Sequence, residues 1–210
     1  MADYKCVATT PEGFIQQLAV SYVAHGYWFY VSGLIPETKD PSAIDRKLIS
    51  KYGIGISKWA RARRKRAGIA NVHYLRHGRF FVVLATHGRH PFFVEEPFKD
   101  IREVPIKFAS YSVSFRGGHA HVRIERETYR DLKAYFMERA LRRSRETLER
   151  EFWNIGFEPY APVRRQLVTM FNRVNAARRT AQFEELSQSC LRLRRRIYRP
   201  FESLLESEAA

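Results

Sequence analysis

The stretch that decides the fold is residues 71–85, with the sequence NVHYLRHGRFFVVLA. Valine, tyrosine, leucine and phenylalanine occupy much of this stretch, and such residues favour β-strands. His77-Gly78 separates its two parts, and a glycine there supplies the positive φ that a two-residue hairpin turn requires. The stretch therefore predicts a β-hairpin that pairs residues 71–76 with residues 79–85.

A second hairpin is predicted further along the chain, where Gly117-Gly118 separates residues 107–115 from residues 119–124. Apolar and polar residues alternate on both sides of the two glycines, which indicates strands with one face on a core. The other face carries Ser, His and Arg but no carboxylate. We expect it to be polar and open.

Helix signals surround the hairpins. Thr10, Asp40, Ser57 and Ser144 are typical N-caps, and each precedes a stretch that can form a helix. The aromatic run at residues 27–33 predicts a buried strand. Residues 190–199 alternate Arg with apolar residues and fit either an edge strand or an extended basic arm. Helices are predicted over 11–25, from 41 to a stop at Gly53, over 58–67, from 127 to about 143, from Ser144 to about 154, and over 162–180.

These elements predict an α+β fold with an antiparallel or mixed sheet, built from the two β-hairpins and the N-terminal strand and packed by helices. The C-terminal third is helical. We expect the helices on one face of the sheet and a basic, open face on the other. Residues 1–200 are interpreted as a single α+β domain, and residues 201–210 as an acidic flexible tail.

The charge of the chain indicates its partner. The formal net charge is +15 and the isoelectric point is about 10.2. Of the 37 cationic side chains, 28 are Arg, whose planar fork binds phosphate in a bidentate manner. Such a balance favours association with nucleic acid, because phosphate neutralisation supplies much of the affinity of nucleic-acid binders.

Basic residues concentrate in one part of the chain. Residues 46–94 contain twelve Lys or Arg and four His but no Asp or Glu, and residues 58–66 alone carry six cations on a predicted helix. We expect the nucleic-acid contacts there, in the first hairpin and loop 86–91, and at basic positions of the C-terminal half. The candidate contacts are Lys58, Arg61, Arg63, Arg64, Lys65, Arg66, Arg76, Arg79, Arg89, Arg123, Arg164, Arg165, Arg178, Arg179, Arg192, Arg194 and Arg196.

RNA or another single-stranded nucleic acid is the favoured partner. Tyr74, Arg76, Arg79 and Phe81 are expected on one face of the first hairpin, and sheets that bind single strands combine aromatic platforms with cations. Packing of these aromatic rings in the core is the alternative. A structural subunit of a ribonucleoprotein complex, with other protein subunits as partners, is a further interpretation.

A catalytic alternative comes from His119-Ala120-His121. Histidines at positions i and i+2 of a strand project to the same face, where they can chelate one divalent ion. The triplet resembles the histidine–hydrophobe–histidine signature of the HUH endonucleases, which cut single-stranded DNA as nickases or transposases. The resemblance implies Mg²⁺ or Mn²⁺ bound by His119 and His121, and Tyr160, or alternatively Tyr129 or Tyr135, as the nucleophile.

Other classes of chemistry have no signature in the sequence. A glycine-rich phosphate loop, zinc-ligand spacing and a catalytic acidic dyad do not appear, and nucleic-acid binding by itself needs no cofactor. Whether the chain is an enzyme stays open at this point. Two cysteines, no export-signal pattern and no long apolar run predict a cytoplasmic protein without a membrane span.

Overall fold

A computed structural model describes residues 4–202 and confirms the α+β class, with a four-stranded and a three-stranded antiparallel sheet. Within these residues the chain divides into two compact units, of which unit 1 comprises 4–106, 113–121 and 198–202. Unit 2 comprises residues 107–112 and 122–197. The single domain over residues 1–200 stays a prediction, and most of the predicted acidic tail lies outside the described residues.

The elements follow one another with short connections. The helices are α1 (Pro11–Gln16), α2 (Pro41–Lys51), α3 (Lys58–Arg66), α4 (Phe92–Glu95), α5 (Arg126–Arg139), α6 (Arg145–Trp153) and α7 (Ala161–Thr180). The strands are β1 (Phe29–Leu34), β2 (Val72–His77), β3 (Phe80–Ala85), β4 (Lys99–Asp100), β5 (Ile106–Phe108), β6 (Tyr111–Arg116) and β7 (His119–Ile124). Among the described residues, no helix has both the length and the apolar character needed to cross a membrane.

The predicted helix starts are confirmed by their caps. Thr10, Asp40, Ser57 and Ser144 each accept backbone N–H groups from the first turn of the helix that follows. A π-helical segment, Gln17–Tyr22, and a 3-10 turn continue α1 to residue 25. The sequence therefore placed these helices correctly from local hydrogen-bonding chemistry.

The first hairpin forms, but its turn is displaced from the predicted one. His77 pairs with Phe80, so Gly78 and Arg79 are the turn residues, and Gly78 has a φ of 56°. The predicted His77-Gly78 turn is therefore wrong, because the turn lies one residue further along the chain. Each residue of β2 consequently pairs with a residue two positions further along β3 than predicted. A shift of two residues leaves every side chain on its expected face, because strand side chains alternate with a period of two.

The first sheet has the order β2-β3-β1-β4 and is covered on both faces. On one face, Val72, Tyr74 and Val83 belong to a core cluster with Tyr52 and Phe92. On the other face, Leu75, Val82 and Leu84 are fully buried. On that side the ring of His73 stacks on Tyr22, and Phe80 contacts Phe14 edge-on. The expected open, basic face is therefore wrong for this sheet.

The second sheet has the order β5-β6-β7. Ala109 and Ser110 have φ angles of 46° and 61°, and this left-handed pair divides the predicted strand 107–115 into β5 and β6. The Gly117-Gly118 turn is confirmed, with φ angles of 57° and 81°. Ser112 and Ser114 are buried, so the polar face of β6 is not open as expected.

Unit 2 has its own aromatic core. Phe136 of α5 stacks on Phe152 of α6 at 4.0 Å between ring centroids, and Phe171 of α7 meets Phe152 edge-on at 5.8 Å. The helical C-terminal third is thus confirmed. Residues 191–199 form neither a helix nor a strand, so the edge-strand alternative is wrong and the extended alternative remains.

Candidate nucleic-acid interface

Helix α3 presents the strongest concentration of cations in unit 1. Ser57 caps it by accepting the N–H of Ala60 at 3.2 Å, and no carboxylate lies in its sequence. Lys58, Arg63, Lys65 and Arg66 are exposed. Because this nine-residue helix carries four exposed positive charges, the charges repel one another and favour binding of an external anion.

The other two cations of α3 point inward and attach the helix to unit 1. Arg61 donates to the carbonyl oxygen of Ile54 at 3.4 Å, and Arg64 donates to that of Gly53 at 3.3 Å. Asn71, just before β2, donates its side-chain N–H to the carbonyl oxygen of Arg61 at 3.1 Å. These bonds fix the orientation of α3 and leave its other side to solvent.

The carboxylates of the described residues form no ion pairs with this helix. Within residues 4–202, the ion pairs at 4.0 Å or less involve cations outside α3. Within the described residues, the cations of α3 thus lack ion-pair partners, although Glu95 lines the same surface pocket as Arg89. The exposed cations of α3 are therefore not compensated by ion pairs within the described residues.

The loop at residues 86–90 lies directly against the end of α3. The N–H of Arg89 donates to Gly68 at 2.9 Å, and the N–H of Ala70 donates back to Arg89 at 3.1 Å. Gly88 makes this approach possible, because a Cβ atom there would lie 2.6 Å from the backbone nitrogen of Ala70. The structure thus places the exposed side chain of Arg89 beside the residues that follow α3.

A cluster of buried rings lies next to the inner side of α3. The hydroxyl group of Tyr4 is 2.8 Å from Nδ1 of His73, whose ring stacks on Tyr22 at 4.4 Å and contacts Tyr27 at 4.8 Å. Burial, with a smaller contribution from the positive charge of Arg61, lowers the pKa of His73 to about 3. His73 is therefore neutral at physiological pH and serves packing.

Two predicted contacts of the first hairpin have other roles in the structure. Arg76 is buried and bonds both carboxylate oxygens of Asp45 at 2.8 and 2.7 Å, and Tyr74 donates its hydroxyl group to the same carboxylate at 2.6 Å. The fully buried ring of Tyr74 cannot stack on a base. Arg79 donates to the carbonyl oxygen of Pro36 at 2.7 Å and thereby holds the loop after β1.

The histidine pair of the HUH-like interpretation lies on β7. His119 is exposed, while His121 and Arg123 are half-buried. Tyr160 belongs to unit 2, where it precedes α7 and its ring lies 5.0 Å from the guanidinium of Arg195. Among the described residues, no group of three His, Cys, Asp or Glu side chains is arranged to hold a metal ion. The HUH-like interpretation stays a prediction.

The predicted contacts of unit 2 divide into internal and exposed ones. Arg178 is buried and donates to the carbonyl oxygens of Glu184 and Ala140 at 2.6 and 2.7 Å. Arg179 forms a bidentate ion pair with Glu185, and both of its bonds measure 2.8 Å. Arg192 lies over the ring of Trp153 at 5.9 Å. Arg164, Arg165, Arg194 and Arg196 are exposed and form no ion pair with an acid of residues 4–202.

The sequence analysis did not single out one exposed residue of the candidate interface. Trp59 of α3 is 77% exposed, although it stands among the cations that the sequence singled out. Its signal was available, because α3 has no other large apolar residue with which it could form a packing face.

Comparisons of this chain with protein-family models, with curated proteins and with solved structures each found no match.

Proposed function

We propose that this protein binds nucleic acid through the α3 cation surface, defined as the exposed side chains of Lys58, Arg63, Lys65, Arg66 and Arg89. The observation that carries the proposal is the exposure of these cations without a carboxylate partner in the described residues. A cation that pairs with a carboxylate of the protein is already neutralised, whereas these five cations can still bind phosphates. The partner is RNA or another single-stranded nucleic acid.

The backbone geometry around α3 supports this assignment. Arg61 and Arg64 hold the helix on the carbonyl oxygens of Ile54 and Gly53, and the Arg89 loop is bonded to Gly68 and Ala70. The cations therefore stand on a fixed support. A fixed array loses less conformational entropy on binding a phosphate backbone than flexible side chains on a mobile segment would.

The test replaces only exposed cations, because Arg61 and Arg64 also support the fold. In the variant Lys58→Gln/Arg63→Gln/Lys65→Gln/Arg66→Gln, we expect weaker binding of labelled 20-nucleotide RNA and DNA of any sequence. The slope of log affinity against log salt concentration should flatten by about 0.7 to 0.9 for each phosphate that the variant no longer neutralises. Fluorescence anisotropy over a salt series measures both quantities.

A matched control removes the same charge elsewhere. Lys107, Arg130, Arg142 and Arg179 are exposed cations, and each already forms an ion pair with an acid. Their replacement by Gln lowers the net charge equally, but we expect it to change the salt slope much less. Equal losses in the two variants would show that overall charge, and not the α3 cation surface, drives binding.

A further inference from the structure

We infer that Trp59 is a stacking platform for an unpaired base and that it makes the α3 cation surface selective for single strands. This inference rests on the proposed function. Trp59 is 77% exposed, and no ring within residues 4–202 stacks on its indole. What distinguishes Trp59 is its surroundings, because a largely exposed indole on a helix of cations and alanines offers a flat aromatic surface beside positive charges.

The helical positions of Trp59, Arg63 and Arg66 place them on one face of α3. They are separated by four and three residues, the spacing at which helix side chains are neighbours, and all three are exposed. Ala62, also exposed, lies between them on this face and leaves the indole open to a planar ligand. The face therefore combines one aromatic plane with two guanidinium groups.

This combination matches the chemistry of a single-stranded nucleic acid. Proteins that bind single strands stack bases on aromatic side chains and contact the backbone with cations. In a duplex, both planes of an internal base are already covered by neighbouring base pairs, so the indole of Trp59 has no plane to stack on. The cations can still contact the phosphates of a duplex, which gives the weaker binding mode.

An anionic lipid surface fits the face less well. Helices that lie on membranes carry a broad apolar face. Trp59 is the only large apolar residue of α3, and the remaining positions are Lys, Arg and Ala. The geometry thus favours recognition of a base over insertion into a lipid layer.

The experiment measures the affinities of four proteins for a labelled 20-nucleotide uridylate strand and for an RNA duplex of the same length. The proteins are the wild type, Trp59→Ala, Trp59→Phe and Trp153→Ala. Trp153 is a matched control because it is also exposed, at 52%, and lies in unit 2. Binding is followed over a salt series, and indole fluorescence is recorded in parallel.

For Trp59→Ala we expect binding of the single strand to weaken by about five- to 150-fold, with the duplex affected less than twofold. The salt slope should stay unchanged, since no charge is removed. Trp59→Phe should retain most of the single-strand affinity, and Trp153→Ala should behave as wild type. Single strands should quench the indole fluorescence of the wild type but not that of Trp59→Ala.

Several results would overturn the inference. If Trp59→Ala binds the single strand as the wild type does, or loses single-strand and duplex affinity equally, Trp59 is not a base platform. In both cases the four-Gln variant still tests the proposed function independently. If the wild type binds no nucleic acid but its indole emission shifts to the blue with phosphatidylserine vesicles, both the inference and the proposed function are wrong.

Discussion

Arg63 and Arg66 of α3 and Arg178 and Arg179 of α7 are the same residue type in the same kind of secondary structure, yet their surroundings differ. The two arginines of α3 are exposed and have no acid partner in the described residues. Arg178 is buried and donates hydrogen bonds to backbone carbonyl oxygens, and Arg179 forms an ion pair with Glu185. A count of arginines therefore overstates the number of exposed cations without an acid partner in the described residues.

The difference arises from what lies around each helix. Residues 182–185 lie just after α7 and bring the carboxylate of Glu185 and the carbonyl oxygen of Glu184 within reach of its last turn. The residues that follow α3 contain no acid up to Glu95. Arg179 lies close in sequence to a carboxylate and pairs with it, whereas the exposed cations of α3 have no acid nearby in the sequence.

The largest expected effect concerns an internal arginine that sequence reasoning assigned to the surface. Asp45→Ala removes the carboxylate that Arg76 and Tyr74 share, leaving a buried positive charge without its partner. We expect the free energy of unfolding to fall by about 3 to 5 kcal/mol. Urea denaturation followed by circular dichroism measures this change.

The double variant Asp45→Ala/Arg76→Met provides the control for that prediction. It removes the buried charge together with its partner, so a large part of the lost stability should return. A single variant as stable as the wild type would mean that Arg76 reaches solvent and remains a candidate for phosphate contact.

The next effect separates two adjacent arginines of α7. Arg178→Met deprives the carbonyl oxygens of Ala140 and Glu184 of their donor, and we expect a loss of about 2 to 3 kcal/mol of unfolding free energy. Arg179→Gln breaks only an exposed ion pair and should cost less than about 1 kcal/mol. Similar losses in thermal or urea unfolding would contradict the distinction drawn between them.

The ring cluster beside α3 predicts an acid-dependent loss of stability. Because the pKa of His73 is lowered to about 3, below its usual value near 6.5, the unfolded chain binds a proton that the folded chain does not. The contribution of the neutral His73 ring to the free energy of unfolding is fully present above about pH 6.5. It falls by up to about 1.4 kcal/mol for each pH unit as the pH decreases toward 3.

Urea unfolding between pH 7.5 and pH 4.5 isolates this contribution when wild type and His73→Phe are compared. Phenylalanine keeps an aromatic ring between Tyr22 and Tyr27 but cannot bind a proton. The stability of the variant should decline less steeply as the pH falls. Parallel curves would show that His73 is protonated in the folded protein.

The smallest expected effect is on the stability of the four-Gln variant of α3. Lys58, Arg63, Lys65 and Arg66 are exposed and form no ion pairs in the described part of the chain, and Gln has a similar helix propensity. We expect the free energy of unfolding to change by less than about 0.5 kcal/mol. A larger loss would show that these cations support the fold, as Arg178 does.

Local chemistry made much of the fold predictable. The caps of the helices and the glycine turns depend on hydrogen bonds and φ angles within a few residues, and these were identified from the sequence. The turn at Ala109 and Ser110 was missed because neither residue normally adopts a positive φ. The displaced turn at Gly78 shows that strand pairing across the sheet selects among local alternatives.

The candidate site was predictable in part. Charge repulsion within α3 and the lack of nearby acids are properties of the sequence, so the basic helix and Arg89 could be identified. The internal roles of Arg76, Arg79 and Arg178 could not, since their partners, Asp45, Pro36 and Ala140, lie 31, 43 and 38 residues away in the chain. Only folding brings such groups together.

The sequence by itself determined the α+β class, the helix starts and the concentration of positive charge between residues 46 and 94, because these depend on residue type and short-range spacing. The tertiary structure decided which cations remain available and that Trp59 stands exposed among them. It also covered both faces of the first sheet, which removed the first hairpin from the proposed binding surface and left α3 and Arg89. The physical reason is that burial and ion pairing depend on residues far apart in the chain, whose distances are fixed only by packing.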